Sequence, residues 1–191
     1  LQGPPAMFTR LLAWLDTQGI EHPVCPDLRY VYTGAAPLDL KLKRAVEHRF
    51  SKPLHHGYGL SEYAGALCLG LLNVPRDDTS AGYLVDGAEL CIVNEQGRDA
   101  TTDERGEIWM RGVGLMPGYF RDVAATSQVM RDGGWYASGD IGYLDETGAL
   151  FVVGRLKEMI IRSGFNVYPG EVESVLAQFP GVQRAAVVGR P

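Results

Sequence analysis

Leu28-Arg29-Tyr30-Val31-Tyr32-Thr33-Gly34-Ala35-Ala36-Pro37 decides the fold class. Residues 28–33 are rich in apolar, aromatic and β-branched side chains, which predicts a buried strand. The strand ends in small residues ahead of Leu38, Leu42, Ala45 and Val46, which recur at helical spacing. Upstream, Met7, Leu11, Leu12 and Leu15 follow Pro4-Pro5 at the same spacing, so a helix precedes the strand. Downstream, Pro53–Tyr58 reads as another short strand. The order helix, strand, helix, strand predicts parallel strands joined by helical crossovers, an α/β arrangement.

The pattern changes further along. Glu89–Val93 and Glu107–Arg111 are strand-like, with a turn at Asn94-Glu95-Gln96-Gly97. Ile141–Leu144 and Leu150–Val153 flank Asp145-Glu146-Thr147-Gly148, a hairpin signal, and a short helix is expected over Asp122–Val129. This is a small, mostly antiparallel β subdomain. Met159–Arg162 and Phe165–Tyr168 around Ser163-Gly164 predict a tight hairpin. A helix from Pro169-Gly170 through Gln178 follows, with Glu171 and Glu173 in its first turn, where carboxylates suit the helix dipole. Val182–Val188 reads as a last strand. The expected division is therefore 1–79 for the end of an α/β part, 80–154 for the β subdomain, and 155–191 for a hinge and the start of an α+β C-terminal domain.

Bulk composition narrows the function classes. The chain of 191 residues is 46% hydrophobic and 21% charged, ordinary for a globular protein with a real core. A net charge of -5 argues against broad attraction to nucleic acid or anionic lipid. No apolar run approaches the roughly 18–20 residues of a membrane span. The start, Leu1-Gln2-Gly3-Pro4-Pro5, carries neither an initiator Met nor a signal pattern and reads as a cut end. Cys25, Cys68 and Cys91 form no metal-ligand spacing and read as reduced thiols of a cytoplasmic protein.

Four constellations carry chemistry. Thr33-Gly34-Ala35-Ala36-Pro37 would let a flat ring approach the backbone, or simply serve tight packing. Gly57-Tyr58-Gly59-Leu60-Ser61-Glu62 supplies an aromatic face, a hydroxyl for a phosphate oxygen and a carboxylate for Mg²⁺; the plainer reading is a loop with a helix cap at Ser61. Tyr136-Ala137-Ser138-Gly139-Asp140 places an acid at the start of a strand, where a carboxylate can accept both hydroxyls of a ribose, or bond its own turn. Gly154-Arg155-Leu156-Lys157, continuing to Gly164, offers a guanidinium fork and a hinge, or a charged linker.

Taken together and in order, these motifs resemble the adenylate-forming superfamily of acyl-CoA synthetases, firefly-type luciferases and peptide-synthetase adenylation domains. GYGLSE is similar to the family's tyrosine-glycine-x-threonine-glutamate signature, with Ser61 keeping the hydroxyl. GEIWMRG, residues 106–112, resembles a structural strand of the family, and YASGD its ribose signature. GRLKEMIIRSGFNVYPGEVE resembles the start of the mobile C-terminal domain, in the style of fatty or aryl acyl-CoA ligases. The resemblance implies that Ala35, Ala36 and Tyr58 flank adenine, that Ser61 meets the α-phosphate, and that Glu62 binds Mg²⁺. It implies that Asp140 and Arg155 hold the ribose, that Lys157 is the hinge, and that Gly164 meets the pantetheine arm. Gly57, Gly65 and Ala66 would border the acyl pocket; of His55 and His56, one is expected to face the core and the other the cleft.

The implied reaction activates a small-molecule carboxylic acid, fatty or aryl, with ATP to an acyl-adenylate and passes the acyl group to coenzyme A. The family's phosphate loop and catalytic lysine are expected outside residues 1–191, so the isolated chain is expected to be inactive. Two other readings stand beside this one: transfer to a carrier-protein thiol or oxidation, and a noncatalytic nucleotide-binding module. The sequence leaves oligomeric state open.

Overall fold

The computed structural model describes residues 1–182 and 185–190. The predicted crossovers are present. Strand β1 (Gln2–Gly3), helix α1 (Pro5–Thr17), β2 (Val31–Gly34), α2 (Leu40–Phe50) and β3 (Leu54–Leu60) alternate, and β1, β2 and β3 pair in parallel. Proline opens α1, where its missing N–H costs nothing. The Asp39 side chain caps α2 by accepting from the Leu42 N–H at 2.9 Å, and Ser51 ends the helix in a left-handed conformation. Phe8, Val31, Leu38, Val46 and Leu54 form the core between helices and sheet. Phe8 and Leu15 are the deeply buried members of the α1 stripe, with Met7 and Leu12 packed partly against that core. Lys43 is buried on α2, donating to Glu47 and, at 3.0 Å, to the Leu54 carbonyl, which ties α2 to the start of β3.

Two antiparallel strands complete this sheet: β4 (Gly65–Leu69) beside β3, and β5 (Tyr83–Leu84) beside β4. Sequence reasoning did not foresee β4, because Gly65-Ala66-Leu67-Cys68-Leu69 has no β-branched residue. The first sheet thus ends at Leu84, a few residues beyond the expected division at 79–80.

The second sheet holds β6 (Ala88–Val93), β7 (Gly106–Gly112), β8 (Met130–Arg131), β9 (Trp135–Leu144) and β10 (Leu150–Arg155), all antiparallel, in the order β10-β9-β7-β6 with β8 on β9. Helix α3 (Val123–Val129) precedes β8 and is capped by Asp122, whose side chain accepts from the Ala125 N–H at 2.8 Å. Ile92, Ile108, Met110, Tyr136 and Leu150 pack against Tyr63, Leu67 and Cys68 from the first sheet, so one core joins both sheets. Burying Ile108, Met110 or Leu150 contributes about 1.5–3 kcal/mol each. Arg76 adds a polar clamp: it donates to Asp78, to Tyr83 and, at 2.6 Å, to Asp145 in the β9–β10 turn.

One sequence expectation is corrected here. Asp140 does not start a strand; β9 begins at Trp135 and carries Asp140 in its interior. Ser138-Gly139 looks like a strand breaker in sequence, but its irregularity is absorbed within the pairing of β7 with β9.

A 3₁₀ turn at Leu156–Glu158 follows β10. Strands β11 (Ile160–Arg162) and β12 (Phe165–Val167) form the expected hairpin, with Ser163 and Gly164 at φ 52° and 81°, as a two-residue turn requires. Helix α4 (Pro169–Leu176) stops short of Gln178 and carries Glu171, not Glu173, in its first turn. Glu173 instead accepts from the Val187 N–H at 2.8 Å. Residues 185–188 adopt no strand, and the part of that expected strand at 183–184 lies outside the described residues. Arg105 pairs with Glu171 at 2.6 Å and lies over the Tyr168 ring, linking the second sheet to this segment. Among the described residues, no helix is long and apolar enough to cross a membrane.

Candidate nucleotide-binding site

Asp140 is the centre of the site. It is buried, and both of its oxygens are engaged: Arg155 Nε donates to Oδ1 at 2.8 Å, and the Tyr58 hydroxyl donates to Oδ2 at 2.6 Å. The partners come from β3, β9 and β10, so two sheets meet at one carboxylate. These bonds reach far along the chain, unlike the local turn bonding that an isolated Asp usually makes. Strand pairing accounts for Arg155, which lies directly opposite Asp140. One extra residue between Val152 and Gly154 sets that register; an unbroken ladder would put Arg155 opposite Gly139. Hydrogen bonding to Asp140 raises the Arg155 pKa further, so its charge is permanent. Burial, and then the Asp140 charge, push the Tyr58 hydroxyl far up, so it stays a donor.

The segment from Gly57 to Glu62 brings the second half of the site. Gly34 at the end of β2 pairs with Gly57 on β3, which sets Ala35 and Ala36 beside the approach to Tyr58. Ala35 takes φ 64°, unusual for a residue with a side chain. Gly57 needs its missing Cβ: the Tyr32 hydroxyl would lie 1.6 Å from it and the Cys68 carbonyl 2.8 Å. Burial pushes the Tyr32 hydroxyl up to about 12. Gly59 faces Ala66 and Leu60 faces Gly65, both exposed on β4. His55 is buried. His56 sets one ring nitrogen 3.1 Å from the Thr79 carbonyl and the other 3.3 Å from the Ala36 carbonyl, beside the small-residue turn.

Ser61 is exposed and is the first residue of a 3₁₀ turn, Ser61–Tyr63. The cap position belongs to Leu60, with no side-chain cap bond, so the helix-cap reading of Ser61 does not apply. Glu62 is half-buried and accepts the Tyr119 hydroxyl on Oε1 at 3.0 Å. The Tyr119 hydroxyl in turn lies 3.3 Å from that of Tyr136. Burial, the bond to Tyr119 and the charge of Glu62 together raise the Tyr136 hydroxyl well above its ordinary range. The donor set suits Mg²⁺. A carboxylate has about four lone-pair positions, so Glu62 keeps acceptor capacity beyond Tyr119, and Mg²⁺ takes few protein ligands. No group of three or more His, Cys, Asp or Glu that could hold a metal occurs among the described residues.

Lys157 and Gly164 are not drawn into this cluster. Lys157 is exposed in the 3₁₀ turn just after Arg155, and Gly164 is exposed at the tip of the β11–β12 hairpin.

A family model described as AMP-binding enzyme matches residues 1–120. The chain belongs to that family. Over 168 residues it is 42% identical to 4-coumarate:CoA ligase 1 of Petunia hybrida and to 4-coumarate--CoA ligase of Vanilla planifolia, covering 84% of this chain in each case. Those matches bear out the superfamily and its acyl-CoA ligase branch. ATP-bound MatB from Rhodopseudomonas palustris superimposes over 100% of the chain with a TM-score of 0.89 at 30% identity. MenE from Bacillus subtilis, solved with an acyl-adenylate, covers 100% with a TM-score of 0.86, also at 30% identity. The fold is therefore the expected acyl-CoA synthetase type. The chain spans 31% of the Petunia ligase and 37% of MatB, about a third of each.

Tyr119 was missed as a site residue by sequence reasoning. It lies outside all four motifs, and only the hydrogen bond to Glu62 reveals it. Glu107 was read as part of a structural strand, yet it too reaches the site's backbone.

Proposed function

We propose that this chain carries the adenosine-binding face and the hinge of an AMP-forming acid–thiol ligase. What supports the reading above all is the convergence of Tyr58, Asp140 and Arg155 in hydrogen-bond contact, in a chain of the AMP-binding family. In this reading the Tyr58 ring and the Ala35-Ala36 turn flank adenine. The Asp140 carboxylate has lone pairs left for the ribose diol after taking Tyr58 and Arg155. Arg155 adds a fixed charge beside the sugar and phosphate. The Ser61 hydroxyl faces the α-phosphate. Glu62, oriented by Tyr119, would hold Mg²⁺, whose chemistry there is neutralisation of phosphate charge.

The substrate carboxylate then attacks the α-phosphorus of ATP and pyrophosphate leaves. A thiol, coenzyme A, attacks the acyl carbonyl and AMP leaves. Rotation of the segment beyond Lys157 would exchange the two half-reactions, with Gly164 meeting the pantetheine arm. Gly57, Gly65 and Ala66 border the acyl group. The names of the plant relatives favour an aryl acid over a fatty acid. The division 1–79, 80–154 and 155–191 belongs to the same reading, with catalysis assigned to the intact protein rather than to this chain alone.

The test is an AMP titration of the intact protein. Asp140→Ala is expected to weaken AMP tenfold to a hundredfold, about 1.4–2.8 kcal/mol, and to depress ATP–pyrophosphate exchange with it. An affinity equal to wild type would end the assignment.

A further inference from the structure

The pairing of β7 with β9 contains a defect beside the site. Glu107 faces Ile141 and Trp109 faces Ala137, so the single residue Ile108 stands opposite Ser138, Gly139 and Asp140. Such a stretch has lost its regular ladder bonds and needs other partners. Two side chains supply them. Glu107 Oε1 accepts from the Gly139 N–H at 2.9 Å. The Ser138 hydroxyl donates to the Ile108 carbonyl at 2.7 Å and accepts from the Asp140 N–H at 3.0 Å. Gly139 takes φ 73°, where a side chain would be strained.

Glu107 is itself held in place. Its second oxygen accepts from the Trp109 indole N–H at 2.8 Å. Gly106, Ile108 and Met110 are the buried residues of β7, so Glu107 and Trp109 lie on the opposite face and are not part of the hydrophobic core. Placing a carboxylate one residue from Asp140 adds like-charge repulsion, and the Gly139 N–H gives it a reason to be there.

We infer that Glu107, together with Ser138, is a positioning residue for nucleotide binding: it fixes the Gly139 backbone and so aims the Asp140 carboxylate at the ribose. This rests on the proposed role of Asp140. Neither side chain needs to touch the nucleotide; both act through the backbone on either side of Asp140.

The experiment is a double-mutant cycle in the intact protein, with AMP affinity measured by calorimetry and folding checked by thermal midpoint. Glu107→Met keeps the volume and removes both acceptors, and is expected to weaken AMP about tenfold. Glu107→Gln keeps an acceptor for Gly139 and is expected to restore most of that loss. In an Asp140→Ala background, Glu107→Met is expected to add nothing, because the group it aims is gone. Should Glu107→Met fail to fold, Ser138→Ala runs through the same cycle, with the same non-additivity expected. Wild-type affinity in the variant, or losses that simply add to those of Asp140→Ala, would overturn the inference. If Asp140→Ala alone binds AMP normally, the fault lies instead with the ribose assignment.

Discussion

Replacing Gly59 by Ala puts the geometry of the site to a demanding test. An alanine Cβ there would lie 1.8 Å from the Gly65 carbonyl oxygen, 2.6 Å from its carbon and 2.8 Å from the Ala66 Cα. All three are backbone atoms, so no side chain can swing aside. Roughly 1.5 Å of strand separation must open before these contacts reach van der Waals range. Opening β3 from β4 there weakens the ladder at Gly59–Ala66 and Leu60–Gly65. Each backbone bond lost costs about 0.5–1.5 kcal/mol, and overpacking adds about 1–3 kcal/mol. A destabilisation of about 2–5 kcal/mol follows, a large part of the 5–15 kcal/mol typical of a domain. Because Tyr58 is the adjacent residue, its bond to Asp140 is displaced as well. Gly97→Ala is the control: it has positive φ, unlike Gly59, but its Cβ would meet nothing within 4 Å. Its cost is about 1–2 kcal/mol of backbone strain, with no route to the site. Denaturant unfolding and AMP titration of the intact protein read both variants. Gly59→Ala should lower the midpoint further than Gly97→Ala and bind AMP at least tenfold more weakly. A Gly59→Ala protein with wild-type midpoint and affinity would refute the reasoning.

Tyr119→Phe removes the hydroxyl that orients Glu62, and should raise several-fold the Mg²⁺ concentration that half-saturates pyrophosphate exchange; an unchanged Mg²⁺ curve would separate Tyr119 from the metal. His56 gives a pH prediction. Burial, the largest influence, lowers its pKa, so the unfolded chain takes up a proton more readily than the folded one. The stability it contributes is then full above the free imidazole value of about 6.5 and is lost as pH falls through and below it. Thermal midpoints from pH 8 to pH 5 should fall more steeply in wild type than in His56→Gln. A wild-type midpoint that rises on acidification would mean that the imidazolium, donating to both carbonyls, prevails over burial.

The αβαβ run was legible because its apolar spacing and its proline and glycine punctuation agree with one another. The Tyr58–Asp140–Arg155 cluster was legible only as a set of motifs in order, since the partners Tyr58 and Asp140 lie 82 residues apart. Strand β4 and the true start of β9 were hidden for a shared reason. Propensity treats Gly65-Ala66 and Ser138-Gly139 as interruptions, whereas β3 pairs with the first and β9 runs through the second as an irregularity. Tyr119 was out of reach because nothing local marks a tyrosine whose hydroxyl meets a carboxylate 57 residues away.

The irregular register of β10 implies a kind of damage that inventories of functional groups overlook. Arg155 meets Asp140 because the strand holds one residue more than its neighbour requires between Val152 and Gly154. An in-frame insertion of one further residue beside Val153, with the bulge kept, would leave every motif in the gene readable and every charged group present. The arithmetic alone would be off by one, and the guanidinium would come up opposite a glycine. Diversity among natural copies of this strand should accordingly be sought in which side chains it carries, and hardly ever in how many.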